Sequence, residues 1–538
     1  MRPFGLLLRQ RLRRDAVSLT VWILGLAALA TAGYPGVRGS YGDEQERLAL
    51  LATVMTNPVV LLFRGLPSGA SESQLVSFLL LPWLLLVVAL MCSFLAVRHT
   101  RGDEEDGRLE LVSATPAGRT APLASTAVHG IGVAVLSGAV VALLFIGNGA
   151  PLAGATLTGA CCALAGTVFL GVGLVAGELM PSSRAANALA VWILVGTFAL
   201  AGTGNALGTP NADLTRMTSS ALTWFSPFGW AENTRPFDAD DPLPLAAVAL
   251  ATFLLLGACA LLHARRDLGA SFVPPRVGRA EARPGFATHL ALVVRQSRAA
   301  AVGWIVAGML VGILSTSLAD LAGRIGQGNA AVTALLEALS GTSEDLSRGL
   351  VVIFFVMLGV IAACAATQTA LRARQDETRG TAELVLGTAL TRTRWLADHI
   401  SVAATAAALT IVAGIVGAAV GALTGGVGGG LLRDAAVAGA GQIVPACLFA
   451  AVTAALVVAL PRAAVVLAWA LLAVAAVVAL FGPLFGLSAS LVDASPFAAA
   501  PVPSGNGVDP RGVAVLVVVA ASAALIALAG MRRRELRS

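Results

Sequence analysis

The sequence predicts an all-α integral membrane protein of about twelve transmembrane helices, arranged as two parallel six-helix repeats. Three observations carry this reading. The chain is 57% hydrophobic and 12% charged with a mean hydropathy of +0.83, whereas ordinary soluble domains carry roughly 25% charged residues. Its apolar residues gather into runs of about 20, enough for a helix to cross a bilayer. One charged stretch between two such runs, RGDEEDGRLELVSATPAGR at 101–119, recurs 273 residues later as RQDETRGTAELVLGTALTR at 374–392.

Without a gap the copies agree at Arg101/Arg374, Asp103/Asp376, Glu104/Glu377, Gly107/Gly380, Glu110/Glu383, Leu111/Leu384, Val112/Val385, Thr115/Thr388 and Arg119/Arg392. Chance matches in a chain rich in Ala, Leu, Val and Gly would fall on those residues; most of these fall on charges and Thr, so the stretch marks an internal duplication. Three further anchors agree with it. Trp22 matches Trp304, the run Met180-Pro181-Ser182-Ser183-Arg184-Ala185-Ala186 resembles Leu460-Pro461-Arg462-Ala463-Ala464, and Ser226-Pro227-Phe228 recurs as Ser495-Pro496-Phe497.

In chain order, residues 1–14 place Arg opposite Phe4, Leu6, Leu7, Leu8 and Leu12, which suits an amphipathic helix in the membrane interface. The run 16–34 leads into more membrane, so it reads as a retained first span rather than a signal peptide. A short helix is expected from Asp43 to Met55, and further spans near 76–97, 121–146, 152–178, 185–203 and 244–263, with a longer loop holding WFSPFGW before the last. The first half is therefore 1–267. Residues 268–284 form a basic, Pro-containing linker, and the second half, 285–538, repeats the pattern near 299–318, 349–371, 397–423, 435–459, 464–482 and 512–531. Most of the 36 basic residues sit at the two termini, the linker and both charged stretches. The positive-inside rule then places those segments in the cytoplasm of a multi-pass plasma-membrane protein, with both repeats in the same orientation.

Composition also excludes functions. All 36 basic residues are Arg, so the chain has no Lys for a phosphate-binding GxxxxGK[ST] loop and does not bind ATP in that way. The six Cys lie inside apolar runs without metal-ligand spacing and read as packing residues. The five His are scattered near the expected cytoplasmic edges without an HExxH or comparable pair, so no catalytic or metal site is expected and interfacial anchoring is their expected role. No ionisable residue falls at a span centre, which weighs against an ion-coupled secondary efflux transporter, the alternative reading.

On a helix, Asp103, Gly107 and Glu110 would share one face at i, i+4, i+7. The charged stretch thus predicts a short amphipathic helix near 101–119, stopped by Pro116, and a second near 374–392. The pattern Glu104-x-x-Gly107-x-x-Glu110-Leu111-x-x-x-Thr115-Pro116-x-x-Arg119 resembles the coupling helix of ABC-2-type exporter permeases. The double-six layout with its SPF element is similar to the actinobacterial polyketide-antibiotic and multidrug (tetronasin-type) exporter permeases of type V-like architecture. The second copy departs at Ala389, which replaces the Pro.

The resemblance implies a permease, not itself an enzyme, of an ATP-driven exporter of hydrophobic or amphiphilic compounds. Two copies of a separate ABC ATPase subunit are implied as partners, binding the ATP and Mg that this chain does not. Asp103, Glu104, Gly107, Glu110, Arg119, Asp376, Glu377, Gly380, Glu383 and Arg392 are the implied ATPase-coupling residues. The resemblance also places the substrate path between the second and fifth spans of each half, where Trp83, Trp192, Phe354, Phe355 and Trp469 are the candidates.

Overall fold

No Gly or Pro separates the arginine-rich lead-in from the first apolar run, and the two form one continuous helix, α1 (Arg2–Ser40). At 1.5 Å per residue it is about 58 Å long, roughly twice the apolar thickness of a bilayer. This corrects the expectation of a separate interfacial helix: the basic lead-in extends the first span. The computed structural model describes residues 2–55, 58–115, 118, 120–274, 287–326, 346–425, 429–481, 488–501 and 511–534. These fall into two units, Met1–Gly278 and Arg279–Ser538.

In the first unit α1 is followed by the short helix Glu44–Met55, then α2 (Glu72–Val97), α3 (Thr120–Gly147), α4 (Leu152–Leu179), α5 (Ser183–Ala206) and α6 (Leu245–Arg265). α2 begins on a capping box, in which Ser71 and Gln74 exchange side-chain to backbone hydrogen bonds. α4 is the most enclosed of the six, packed by α2, α3, α5 and α6. Gly138 of α3 and Gly159 of α4 oppose each other so closely that a Cβ on either would strike the other's carbonyl oxygen. Without a hydrophobic drive between helices in lipid, such small residues let dispersion contacts hold the bundle.

The second unit has α7 (His289–Gly326), α8 (Leu346–Ala370), α9 (Arg392–Gly425), α10 (Gly429–Ala459), α11 (Ala464–Phe481) and α12 (Arg511–Arg533). Among the described residues, eleven helices are long and apolar enough to cross a membrane; the expected fifth span of this half is the shorter α11. Its core gathers Phe355, Leu358, Phe449 and Phe497 among many alanines.

Between α5 and α6, away from the charged stretch, a short hairpin (Thr209–Pro210 with Met217–Thr218) precedes a helix Pro227–Glu232. Ser226 caps that helix, accepting from the Phe228 N–H, and donates its hydroxyl to the Thr197 carbonyl of α5 at 2.7 Å. Ser495 repeats the anchor, donating to the Ala475 carbonyl of α11 at 2.8 Å. The repeated SPF motif is therefore a staple between the segment that follows the fifth helix and that helix in each unit.

Glu232, in this segment, is buried, and among the described residues only Asn205 donates to its carboxylate, at 2.6 Å. Burial pushes its carboxyl up to about 8, against the smaller downward effect of Asn205. An acid whose pKa is raised on folding is protonated in the native state and ionised in the unfolded chain, so stability falls as pH rises from about 4.5 to 8. Thermal unfolding of the detergent-solubilised protein between pH 5 and 8 is expected to show this decline in the wild type. Glu232→Gln should flatten it and stabilise the protein at neutral pH.

Candidate functional site

Each charged stretch turns on a glycine. After α2 the chain makes a π-helical turn, Arg98–Gly102, and one α-turn, Asp103–Glu105; Gly107 then takes φ 71°, ψ 5°, and a new helix, Arg108–Ser113, begins. In the second unit the helix Arg372–Thr378 is followed by Gly380 at φ 71°, ψ 1° and the helix Thr381–Leu386. Left-handed backbone costs a residue with a Cβ roughly 1–2 kcal/mol, so glycine is the natural occupant. This corrects the single amphipathic helix: its axis breaks at Gly107, and Asp103 and Glu110 do not share a helix face.

Ahead of the glycine one glutamate of each stretch, Glu104 and Glu377, points inward. Glu104, 6% exposed in its side chain, accepts from Arg101 at 2.8 Å, from Arg266 just past α6 at 3.0 Å, and from the Gly269 backbone. Arg266 also pairs with Glu178 of α4 at 2.6 Å, and Glu178 with His263 of α6 at 2.9 Å. Arg101 donates further to the carbonyls of Ala270 and Pro181. Glu377, 2% exposed, repeats the arrangement: Arg374 donates to it at 3.1 Å, and Arg534, just past α12, holds both its oxygens at 3.1 and 3.0 Å. Where the first unit has Glu178, the second offers the Val457 carbonyl, which accepts from Arg534 at 2.7 Å.

Asp103 is held by Arg14 and Arg108, and Asp376 faces His399 at 3.4 Å. Arg392 opens α9 and donates to the Arg534 carbonyl at 2.6 Å. Arg119 and Pro116 lie outside the described residues.

Beyond the glycine the Glu-Leu pair of each stretch faces outward. Glu110 and Glu383 are exposed, and beside them Leu111 and Leu384 are 74% and 77% exposed. These two leucines were legible as repeat matches, yet nothing in composition marked them as surface residues. The available signal was an apolar residue kept in register on a short polar helix.

The histidines are not interfacial anchors. Each is buried or partly buried against a carboxylate: His99 and His129 on Asp15, His263 on Glu178, His289 on Asp398 at 2.9 Å, and His399 on Asp376. The aromatic candidates divide. Trp83 packs on Phe198 with ring centroids 5.8 Å apart, Phe355 is in the second unit's core, and Trp469 lies partly buried against a core cluster. Phe354 is partly buried, and Trp192 is 56% exposed on α5.

Apolar helices in two units, each with a glycine-broken charged stretch locked by buried ion pairs, define a multi-pass membrane permease of the transport class. Residues 286–532 match the family described as multidrug efflux system permease Rv1217c, C-terminal domain. Over 536 residues, 99% of this chain and 95% of the relative, the sequence is 34% identical to the multidrug efflux system permease protein Rv1217c of Mycobacterium tuberculosis. The chain belongs to this family of permeases.

Removing one partner of a buried ion pair strands the other and typically costs about 3–5 kcal/mol. Glu377→Ala is therefore expected to lower the thermal stability of the purified permease markedly. Glu383→Ala, on the exposed side of the same turn, should stay within about 0.5 kcal/mol of wild type. Equal melting curves for the two variants would contradict the inward role of Glu377.

Proposed function

We propose that the chain is the membrane permease of an ATP-driven exporter of the ABC-2 class, moving hydrophobic or amphiphilic compounds out of the cell. The multidrug efflux description of its relative supports the cargo class, and its own 57% hydrophobic composition suits it. ATP and Mg are bound by separate ATPase subunits, two copies of which dock from the cytoplasm, where both termini also lie.

One observation carries the coupling reading: both units present a short helix with an exposed Glu-Leu pair, Glu110-Leu111 and Glu383-Leu384, immediately after a left-handed glycine and a buried Glu-Arg pair. A solvated loop has no reason to keep an exposed leucine in register. A docking helix does, because an apolar knob entering a partner's pocket supplies much of an interface's energy. The buried pair ahead of it then passes the partner's movement to the last helix of the unit. The acids Asp103, Glu104, Asp376 and Glu377 serve this reading as anchors, and the exposed Glu110, Leu111, Glu383 and Leu384 as the contact surface.

Leu111→Ala with Leu384→Ala should leave expression and melting temperature unchanged while weakening co-purification with the ATPase about tenfold or more, the ~1.4 kcal/mol scale of a truncated interface anchor. Undiminished complex formation would remove these helices from the interface. For the cargo, Trp192 offers an exposed aromatic surface on α5. Trp192→Ala should change resistance to bulky hydrophobic drugs in a host lacking its own pumps, at equal protein level, and unchanged resistance to all of them would take Trp192 out of the path.

A further inference from the structure

In the first unit three helical segments bring polar groups to one buried point beside the charged stretch. α1 supplies Asp15, the π-helical turn after α2 supplies His99, and α3 supplies His129, with side chains 3%, 0% and 1% exposed. Nε2 of both imidazoles faces the same atom, Asp15 Oδ2: His129 at 3.1 Å, His99 in closer contact. One potential ligand atom from each residue lies within 4.8 Å of the others. We propose that Asp15, His99 and His129 bind a divalent transition-metal ion of the zinc class, tying the first span to the charged stretch.

The groups behind the three residues support this. Each of two carboxylates divides its oxygens in the same way. Asp15 Oδ1 is taken by Arg98 at 3.0 Å while Oδ2 faces the imidazoles. Asp103 Oδ1 is taken by Arg14 and Arg108 while Oδ2 faces His99 Nδ1 at 3.6 Å. A carboxylate behind Nδ1 favours the tautomer with its proton there, which leaves the Nε2 lone pair free for a metal; this is the usual support of a ligating histidine.

Donor chemistry selects the ion. Two neutral imidazole nitrogens and one carboxylate are a common zinc set, with bonds of about 2.0–2.2 Å. Calcium and magnesium need cages of oxygen ligands, which this point does not offer. With Arg11, Arg14, Arg98 and Arg108 close by, an ion held by charge alone is disfavoured, and one held by nitrogen donors is favoured. The π-helical turn matters too: its extra residue per turn rotates His99 relative to an α-helical path. The second unit has Arg372 at the corresponding position and an α-helix from there, so the site belongs to the first unit.

The test is metal binding by the full-length permease, purified with a tag free of histidine and stripped with EDTA. On titration with cobalt(II), the wild type should develop the visible ligand-field bands of a four-coordinate site with nitrogen donors, saturating at one equivalent and bleached by zinc. Zinc should also raise its melting temperature. Asp15→Asn and His129→Ala should abolish the bands, Asp103→Asn should weaken binding roughly 10- to 100-fold, and His399→Ala, in the second unit, should leave it unchanged. A wild type without cobalt bands and without bound zinc would overturn the proposal and leave a proton between Asp15 and His99. Bands that survive both ligand substitutions would also overturn it. Because the decisive measurement is on the wild type, misfolding of a variant cannot rescue the idea.

Discussion

A carboxylate buried at the edge of a membrane bundle must find a cation there or pay a large desolvation cost. Glu104 and Glu377 meet that constraint with an arginine three residues upstream and a second just past the last helix of their unit, Arg266 or Arg534. The second partner has the structural consequence. It fixes the charged stretch to α6 in one unit and to α12 in the other, so the exposed tip beyond the glycine is a rigid extension of the bundle. A stretch pinned through paired charges is held more rigidly than a flexible loop of the same composition.

The two stretches agree at nine of nineteen positions but are held by different neighbours. Glu178 and His263 extend the first network into α4 and α6, whereas Arg534 ends on the Val457 carbonyl. Asp103 lies among Arg14, Arg108 and His99, and Asp376 faces His399 alone of the histidines. The first stretch therefore carries more charge and a larger polar network than the second.

Packing follows the logic of helices in lipid throughout. Close approaches are made by glycine facing glycine, as at Gly138 and Gly159 in the first unit and at Gly312 and Gly414 in the second. The segments after the fifth helices are tied back to them by hydroxyls, Ser226 and Ser495. Large aromatics fill the remaining gaps, Phe169 against Phe228 and Phe449 against Phe497. Most of the aromatic residues that looked like path residues in the sequence belong to this packing, and Trp192 stands apart because α5 turns it outward.

The sequence by itself determined the class, the repeat of the charged stretch, the position of each apolar helix and the repeated SPF element. Those rest on composition and on periodicity along the chain, which are local. It also contained Gly107 and Gly380 in matching positions, but helical spacing read them as members of a face; only backbone geometry shows them as breaks. Tertiary structure alone decided which way each charge points. Glu104 and Glu110 are six residues apart and of one chemical type, yet one is buried because Arg266, 162 residues away, reaches it, and the other is exposed. The five histidines were equally unreadable, since the carboxylates that hold them come from other helices, and no pattern along one strand of sequence records a meeting of three.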